Sequence, residues 1–383
     1  MIAAVNVLNN CSSCKHKRSL GSARRAARAA WTRPCGRRCY TLNANTPFPD
    51  TSLGVQPCQP FRKVLKPSWQ YLLYSEDMSQ AVRITDVAPR DGLQNEAAPI
   101  PTLQKAELVS RLIAANVDEI EVSSFVSSKW IPQLGDAAEV FHLVQSLKPA
   151  DMVFSALVPN DKGLSAALEI NGAAGKRIID KVSVFAAASE TFSRKNTNTA
   201  IAESLERFRI LIPRAKAAGL LVRGYISCII ACPFEGPISP AAVISIARKL
   251  LELGVDELDY GDTIGAADPR SLSSLLVAHS AAFGDAHLTD SSRFTLHLHD
   301  TFGRAAACAL EAFSMGVRSF DSAAGGLGGC PYASTPGKQA PGNIDTEDLV
   351  KTLLAAGAST RVDQKLLASA ATFARALATT PTL

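Results

Sequence analysis

Leu220 to Asp262 reads LLVRGYISCIIACPFEGPISPAAVISIARKLLELGVDELDYGD. Its first part, LLVRGYISC, is short and rich in β-formers, as a strand is. Ser239-Pro240 is then an N-cap followed by proline at the first helical position. Val243, Ile246, Ala247, Leu250 and Leu251 recur at helical spacing, and Gly254 supplies the stop. A second strand-like run, ELDYGD, begins at Glu257. Strand, helix, strand with a long connection is the pattern of a parallel crossover.

The same unit repeats on both sides. Strand-like runs begin near Val82, Asp118, Met152, Arg177, Leu220, Glu257, Phe294 and Ser319, with helix-length segments between them. Gly219 and Gly316 precede their strands as Gly254 does. Eight such units predict an α/β fold, a (β/α)8 TIM barrel of residues 81–330. A doubly wound sheet is the weaker alternative, because no GxGxxG follows the first strand. Residues 331–383 read as a loop, GCPYASTPGKQAPGN running on from Gly329, and a C-terminal helical extension of two helices.

The charge of +5 is unevenly placed. Residues 1–49 carry nine Lys or Arg and no acid, while residues 51–383 hold 31 basic and 34 acidic groups. The body therefore has no basic surface that predicts nucleic-acid binding. The Arg-rich, acid-free N-terminus has the composition of an organellar transit peptide, expected to be a disordered targeting segment over residues 1–40. Arg38-Cys39-Tyr40-Thr41 resembles a matrix-processing site with cleavage after Tyr40, which predicts the mitochondrial matrix. Residues 41–80 carry Pro47, Pro49, Pro57, Pro60 and Pro67 and read as a linker or surface extension. Cys11-x-x-Cys14 lies in the leader without a strand context, so no metal or redox site is expected there. Cys58, Cys228, Cys232, Cys308 and Cys330 are scattered and odd in number, as expected of free thiols in a reducing compartment. No run of 18 apolar residues occurs, so no membrane span is expected.

In such a barrel the C-terminal strand ends form the active-site mouth. Polar residues gather there: Pro89-Arg90-Asp91-Gly92 after the first strand, Glu121 on the second, Arg223 and Tyr225 on the fifth, Asp262-Thr263 at the end of the sixth. On the seventh, Arg293 to Gly303 reads RFTLHLHDTFG, so His297 and His299 point to one face and Leu298 to the other. Asp91 with the two histidines makes a two-His, one-carboxylate set with open positions. Ligand type alone permits iron, manganese, magnesium or zinc.

VAPRDGLQNE, SSFVSSKWIPQLGD, FAAASETFSRKN, VRGYISCIIACPFEG, YGDTIG, HLHDTFG and GGLGGCPY together resemble the 3-hydroxy-3-methylglutaryl-CoA lyases, in unbroken order over about residues 82–383. The related isopropylmalate and homocitrate synthases share the barrel and the His-x-His but are not expected to carry GLGGCPY. The resemblance implies metal-dependent retro-Claisen cleavage of an acyl-CoA substrate to acetyl-CoA and acetoacetate. It implies Asp91, His297, His299 and Asn343 as ligands of a divalent cation, Mg2+ or Mn2+. It implies Arg90 as stabiliser of charge on the thioester oxygen and Cys330 as general acid/base on a mobile loop. Glu121 and Asp262 would support the site. Gln94, Asn196, Arg223, Tyr225 and Thr263 would join Arg90 in holding substrate. A homodimer is implied as well. The segment between Cys330 and Asn343 is a few residues longer than the family pattern, which leaves open a related 3-hydroxyacyl-CoA as substrate. A catalytically silent barrel serving as a binding subunit is the reading from another class.

Overall fold

The computed structural model describes residues 80–96, 98–329 and 341–379. The expected leader and nearly all of the linker, Cys58, and Cys330 with most of the loop after it lie outside the described residues. Strands β1 (Arg83–Asp86), β2 (Glu119–Ser124), β3 (Val153–Leu157), β4 (Lys181–Ala187), β5 (Leu221–Ser227), β6 (Glu257–Asp262), β7 (Phe294–Leu298) and β8 (Ser319–Ser322) close into a barrel. Every neighbouring pair is parallel, including β1 with β8. All eight runs expected from the sequence are strands of this barrel.

The crossovers are α1 (Thr102–Ala114), α2 (Ala137–Val144), α3 (Asp161–Ala174), α4 (Ile201–Ala217), α5 (Pro240–Leu253), α6 (Pro269–Phe283) and α7 (Ala305–Ser314). α5 begins and ends where its punctuation places it: the Ser239 hydroxyl accepts from Ala242 N, and Gly254 takes φ 96°. After β8 come α8 (Thr346–Ala355) and α9 (Gln364–Thr379). α9 lies against α1, with the Arg111 guanidinium 4.5 Å from the centre of the Phe373 ring. A hairpin, Ala231–Cys232 with Gly236–Pro237, follows β5 and is not expected from the sequence. Its Cys232 is buried with Cys228, as the apolar flanks of both predict. Among the described residues, no helix is long and apolar enough to cross a membrane.

Barrel closure has a specific tie. Asp86, at the end of β1, accepts from Ala88 N (2.9 Å), Ala324 N (3.1 Å) and the Thr346 hydroxyl (2.8 Å). One carboxylate thus joins the first strand, the turn after the last, and the start of α8. Burial pushes its pKa up to about 7 against the opposing pull of these donors.

The apolar core sits between sheet and helices. Ile84, Ile120, Phe154, Val222, Leu258 and Leu296 are all fully buried there. The interior of the barrel is instead ionic. Lys181 on β4 reaches Glu119 on β2 (2.6 Å) and Glu257 on β6 (2.5 Å), a span possible only across the inside. Arg223 on β5, with no exposed surface, meets Glu119 (3.3 Å), Glu257 (2.8 Å), Asp259 (3.4 Å) and Asp321 (3.1 Å). Branched aliphatic layers are the usual filling of such barrels. Buried ion pairs add little net stability over apolar filling but are destructive to break singly.

Outside the barrel, His279 on α6 is fully buried between the Tyr260 hydroxyl (2.9 Å) and His287 (3.1 Å). Burial, then the neighbouring His287, lowers its pKa to about 3. Between that value and the ordinary 6.5 the unfolded chain binds a proton that the native chain refuses. The contribution of His279 to native stability therefore falls by about 1.4 kcal/mol per pH unit as pH drops below 6.5. We expect the urea midpoint of His279→Gln, which removes the titrating ring, to rise relative to that of the wild type as pH falls from 6.5 to 5.

Candidate active site

The mouth is built from strand ends. Immediately after β1 the chain makes one π-helical turn, Ala88–Gly92, which turns Arg90 and Asp91 inward. Single π turns are rare and recur at functional sites. Arg90 is buried; its Nε donates to Glu121 and its Nη1 to Asp91, and the guanidinium lies 5.5 Å from the centre of the Tyr225 ring. Its Nη2 makes no hydrogen bond within the described residues. Burial opposes the charge on Arg90, but Glu121 and Asp91 outweigh it and raise the pKa.

Asp91, His297 and His299 each place one ligand atom within 4.8 Å of the others. The histidine side chains share a face, with ring centres 5.3 Å apart, while Leu298 packs outward into the core. Asn343 arrives from the far side of the Gly-rich segment. It bridges to His299 and donates from Nδ2 to Asp91 Oδ2 (2.9 Å) and Leu327 O (3.0 Å). Burial alone would raise the Asp91 pKa, yet Arg90, His297, His299 and Asn343 hold it below the usual range. Burial, then His297, lowers His299 to about 4, so its ring is neutral and free to offer a lone pair at neutral pH.

Among the described residues, two buried atoms of this cluster lack a hydrogen-bond partner, His299 Nδ1 and Asn343 Oδ1. Leaving such atoms unsatisfied costs on the order of 1–3 kcal/mol each. A divalent cation answers that cost, and the set of carboxylate, two imidazoles and an amide oxygen suits one. The residues therefore fit the metal that the sequence resemblance implies. The Gly-rich segment is fitted to the same point. Gly328 has φ 98°, and a Cβ there would lie 2.5 Å from Asn343 Nδ2 and 3.2 Å from Asp91 O. Asn95 Nδ2 reaches Gly329 O (3.4 Å), and Asn343 N reaches Leu327 O (3.3 Å). The chain on either side of residues 330–340 is thus held beside the cluster.

Other expected site residues fall into different places. Glu121 and Tyr225 form the floor: Tyr225 Oη is 3.2 Å from Glu121 Oε2 and 3.2 Å from Asp321 Oδ2. Gln94 is half-buried in the turn after β1. Asn196 is exposed on the short helix Glu190–Thr197 that follows β4. Arg223 is a correction. With no exposed surface and four carboxylates around it, it cannot touch a substrate at the mouth. Asp262 serves the loop after β6. It pairs in register with outward-facing Leu298, and its oxygens accept from Ala266 N (3.0 Å) and Ala267 N (2.8 Å). Burial raises it to about 6, and its work is to hold the loop after β6. Thr263 likewise uses its hydroxyl on Cys228 N (2.8 Å) at the end of β5.

The residue missed from the sequence is Asp321, in SFDSAA on β8. It pairs in register with His297 and has an oxygen 3.2 Å from His297 Nδ1. Burial would raise its pKa, but Arg223 and His297 hold it well below the usual range. Its only sequence signal is a polar residue at the barrel-facing position of the last strand.

A family model described as HMGL-like matches residues 81–373. The chain belongs to the HMGL-like family. It is 44% identical to the mitochondrial hydroxymethylglutaryl-CoA lyase of Bos taurus over 297 residues, 77% of this chain and 86% of that protein. The solved HMG-CoA lyase of Brucella melitensis superposes with a TM-score of 0.70 at 41% identity, over 78% of this chain and 98% of that one. An HMG-CoA lyase from Acenitobacter baumannii, solved in complex with coenzyme A and 3-methylmalate, gives a TM-score of 0.70 at 33% identity, over 79% of this chain and 93% of that one. The HMGL-like match spans the barrel and includes Asn343.

Proposed function

We propose that this protein is a carbon–carbon lyase that cleaves 3-hydroxy-3-methylglutaryl-CoA to acetyl-CoA and acetoacetate. The observation that carries the reading is the Asp91, His297, His299 and Asn343 cluster beside a buried arginine at the C-terminal mouth of the barrel. Those four residues would hold a divalent cation, Mg2+ or Mn2+. When bound it supplies Lewis acidity that makes the C3 hydroxyl of the substrate easier to deprotonate. Arg90, fixed by Glu121 and Asp91, directs its uncommitted Nη2 toward the mouth's contents and stabilises the charge that grows on the thioester oxygen as the C2–C3 bond breaks. Glu121 and Tyr225 hold that guanidinium in place. Cys330, which lies outside the described residues, follows the anchored Gly329 and is the acid/base of this reading, since a thiol exchanges protons near neutral pH when its surroundings help. Gln94 and Asn196 are the remaining candidates for substrate contact.

The mitochondrial names of the relatives and the basic leader over residues 1–40 support work in the mitochondrial matrix, with residues 41–80 a linker before the catalytic barrel. The coenzyme A complex of a relative supports an acyl-CoA substrate. A homodimer is part of the same reading.

The test is direct. Purified protein given 3-hydroxy-3-methylglutaryl-CoA and Mg2+ or Mn2+ releases acetoacetate. Chelation with EDTA abolishes the release, and added cation restores it. Absence of product with either metal present would overturn the assignment. Competition by kcat/KM against other 3-hydroxyacyl-CoA thioesters reads the effect of the longer loop.

A further inference from the structure

We propose that Asp321 is a positioning residue for the cation site, holding the proton of His297 on Nδ1 so that Nε2 is the nitrogen offered at the mouth. The inference rests on the metal reading above and names a residue that reading does not use.

Asp321 stands in register beside His297, on neighbouring strands at the same height in the barrel. Its Oδ2 lies 3.2 Å from His297 Nδ1. An ionised carboxylate only accepts, so the imidazole must donate, and its proton is placed on Nδ1. The other nitrogen then keeps its lone pair. His299 differs: its Nδ1 is buried without a hydrogen-bond partner among the described residues. Among the described residues, His297 has a ring nitrogen hydrogen-bonded to a carboxylate and His299 does not.

Asp321 is itself held from two other directions. Arg223 Nη1 lies 3.1 Å from Oδ1, and Tyr225 Oη lies 3.2 Å from Oδ2. Tyr225 also meets Glu121, which holds Arg90. A line of close polar contacts thus runs from His297 through Asp321, Tyr225 and Glu121 to Arg90, with the single Tyr225 hydroxyl proton serving one of its two carboxylates at a time. Movement of Asp321 would disturb a metal ligand and the oxyanion-stabilising group together.

A competing role is available on geometry. Asp259, His297 and Asp321 also bring ligand atoms within 4.8 Å of one another. The Arg223 guanidinium already lies 3.4 Å from Asp259 and 3.1 Å from Asp321. A second cation beside that fixed positive charge would be repelled, so Asp321 is better used as a hydrogen-bond acceptor than as a ligand. Carboxylates behind metal-binding histidines typically contribute 10- to 100-fold to affinity.

The experiment measures Mn2+ binding to metal-free protein by electron paramagnetic resonance, without substrate. Asp321→Asn and Asp321→Ala are both made, the first keeping the volume in case the second fails to fold. Binding weakened about 10- to 100-fold in a variant whose circular dichroism and melting are retained is the expected result. Unchanged affinity in a folded variant overturns the proposal. Ring 15N spectra of histidine-labelled wild type give an answer that does not depend on any variant: His297 protonated on Nδ1 supports it, and protonation on Nε2 overturns it. Wild type that binds no Mn2+ fails the metal reading itself, whereas wild type that binds as tightly as Asp321→Asn fails only the role of Asp321.

Discussion

Arg90→Lys lowers kcat for 3-hydroxy-3-methylglutaryl-CoA by about 10²- to 10³-fold, with a small change in melting temperature. The split between the two readouts follows from the hydrogen bonds. Arg90 spends Nε on Glu121 and Nη1 on Asp91, and its plane faces the Tyr225 ring. Those contacts fix the remaining nitrogen in space. Lysine keeps the positive charge that Glu121 and Asp91 need, so the buried acids stay paired and the fold is kept. Its three N–H donors radiate from one nitrogen, so they cannot occupy the separate positions from which the guanidinium fork reaches Glu121, Asp91 and a third oxygen. Stabilisation lost in the transition state appears in kcat, while binding of the ground-state thioester appears in KM. An unchanged kcat would remove Arg90 from the reaction. A fall in KM affinity alone would make it a substrate anchor.

Arg223→Met destabilises the protein by about 3–5 kcal/mol at neutral pH, enough to threaten a fold whose total is commonly about 5–15 kcal/mol. The replacement removes the buried cation that lies beside both Asp259 and Asp321. Arg223 faces Glu119, Glu257, Asp259 and Asp321 inside a space with no exposed surface. Lys181 still serves Glu119 and Glu257, but the two aspartates lose their cation. A stranded buried carboxylate has its pKa raised. In the variant, therefore, the native state binds more protons than the unfolded state, and the loss of stability shrinks as pH falls. Urea unfolding of both proteins at pH 8 and pH 5 checks magnitude and sign. A penalty under 1 kcal/mol, or one that grows toward pH 5, would contradict the ionic interior described here.

The two arginines show how far the sequence reaches into the site. Both were expected to meet substrate. Arg90 follows a strand, next to Asp91, and the turn after that strand is local enough to be read from Pro89 and Gly92. Arg223 sits two residues from Tyr225 on a strand whose ends are legible, yet its depth is not. The alternation of VRGYIS tells which side chains share a face. It does not tell whether the polar face meets water, substrate or other charges. In an ordinary half-buried sheet the polar face is the wet one. Here the apolar face is covered by helices and the polar face is enclosed by the barrel, so a pattern that resembles exposure marks complete burial. The same ambiguity hid Asp321, a single acid in SFDSAA.

By itself the sequence determined the eight strands and the crossovers between them, because caps, proline and glycine signals and hydrophobic spacing act within one helix or strand. It also placed His297 and His299 on one face, since strand alternation is local. Only the tertiary structure decided which charges meet. β8 must pair with β7 before Asp321 can stand beside His297, and Asn343 must return past Gly328 before it can reach Asp91. Those contacts join residues 24 and 252 positions apart. Their energy depends on distance and burial, which no local pattern records.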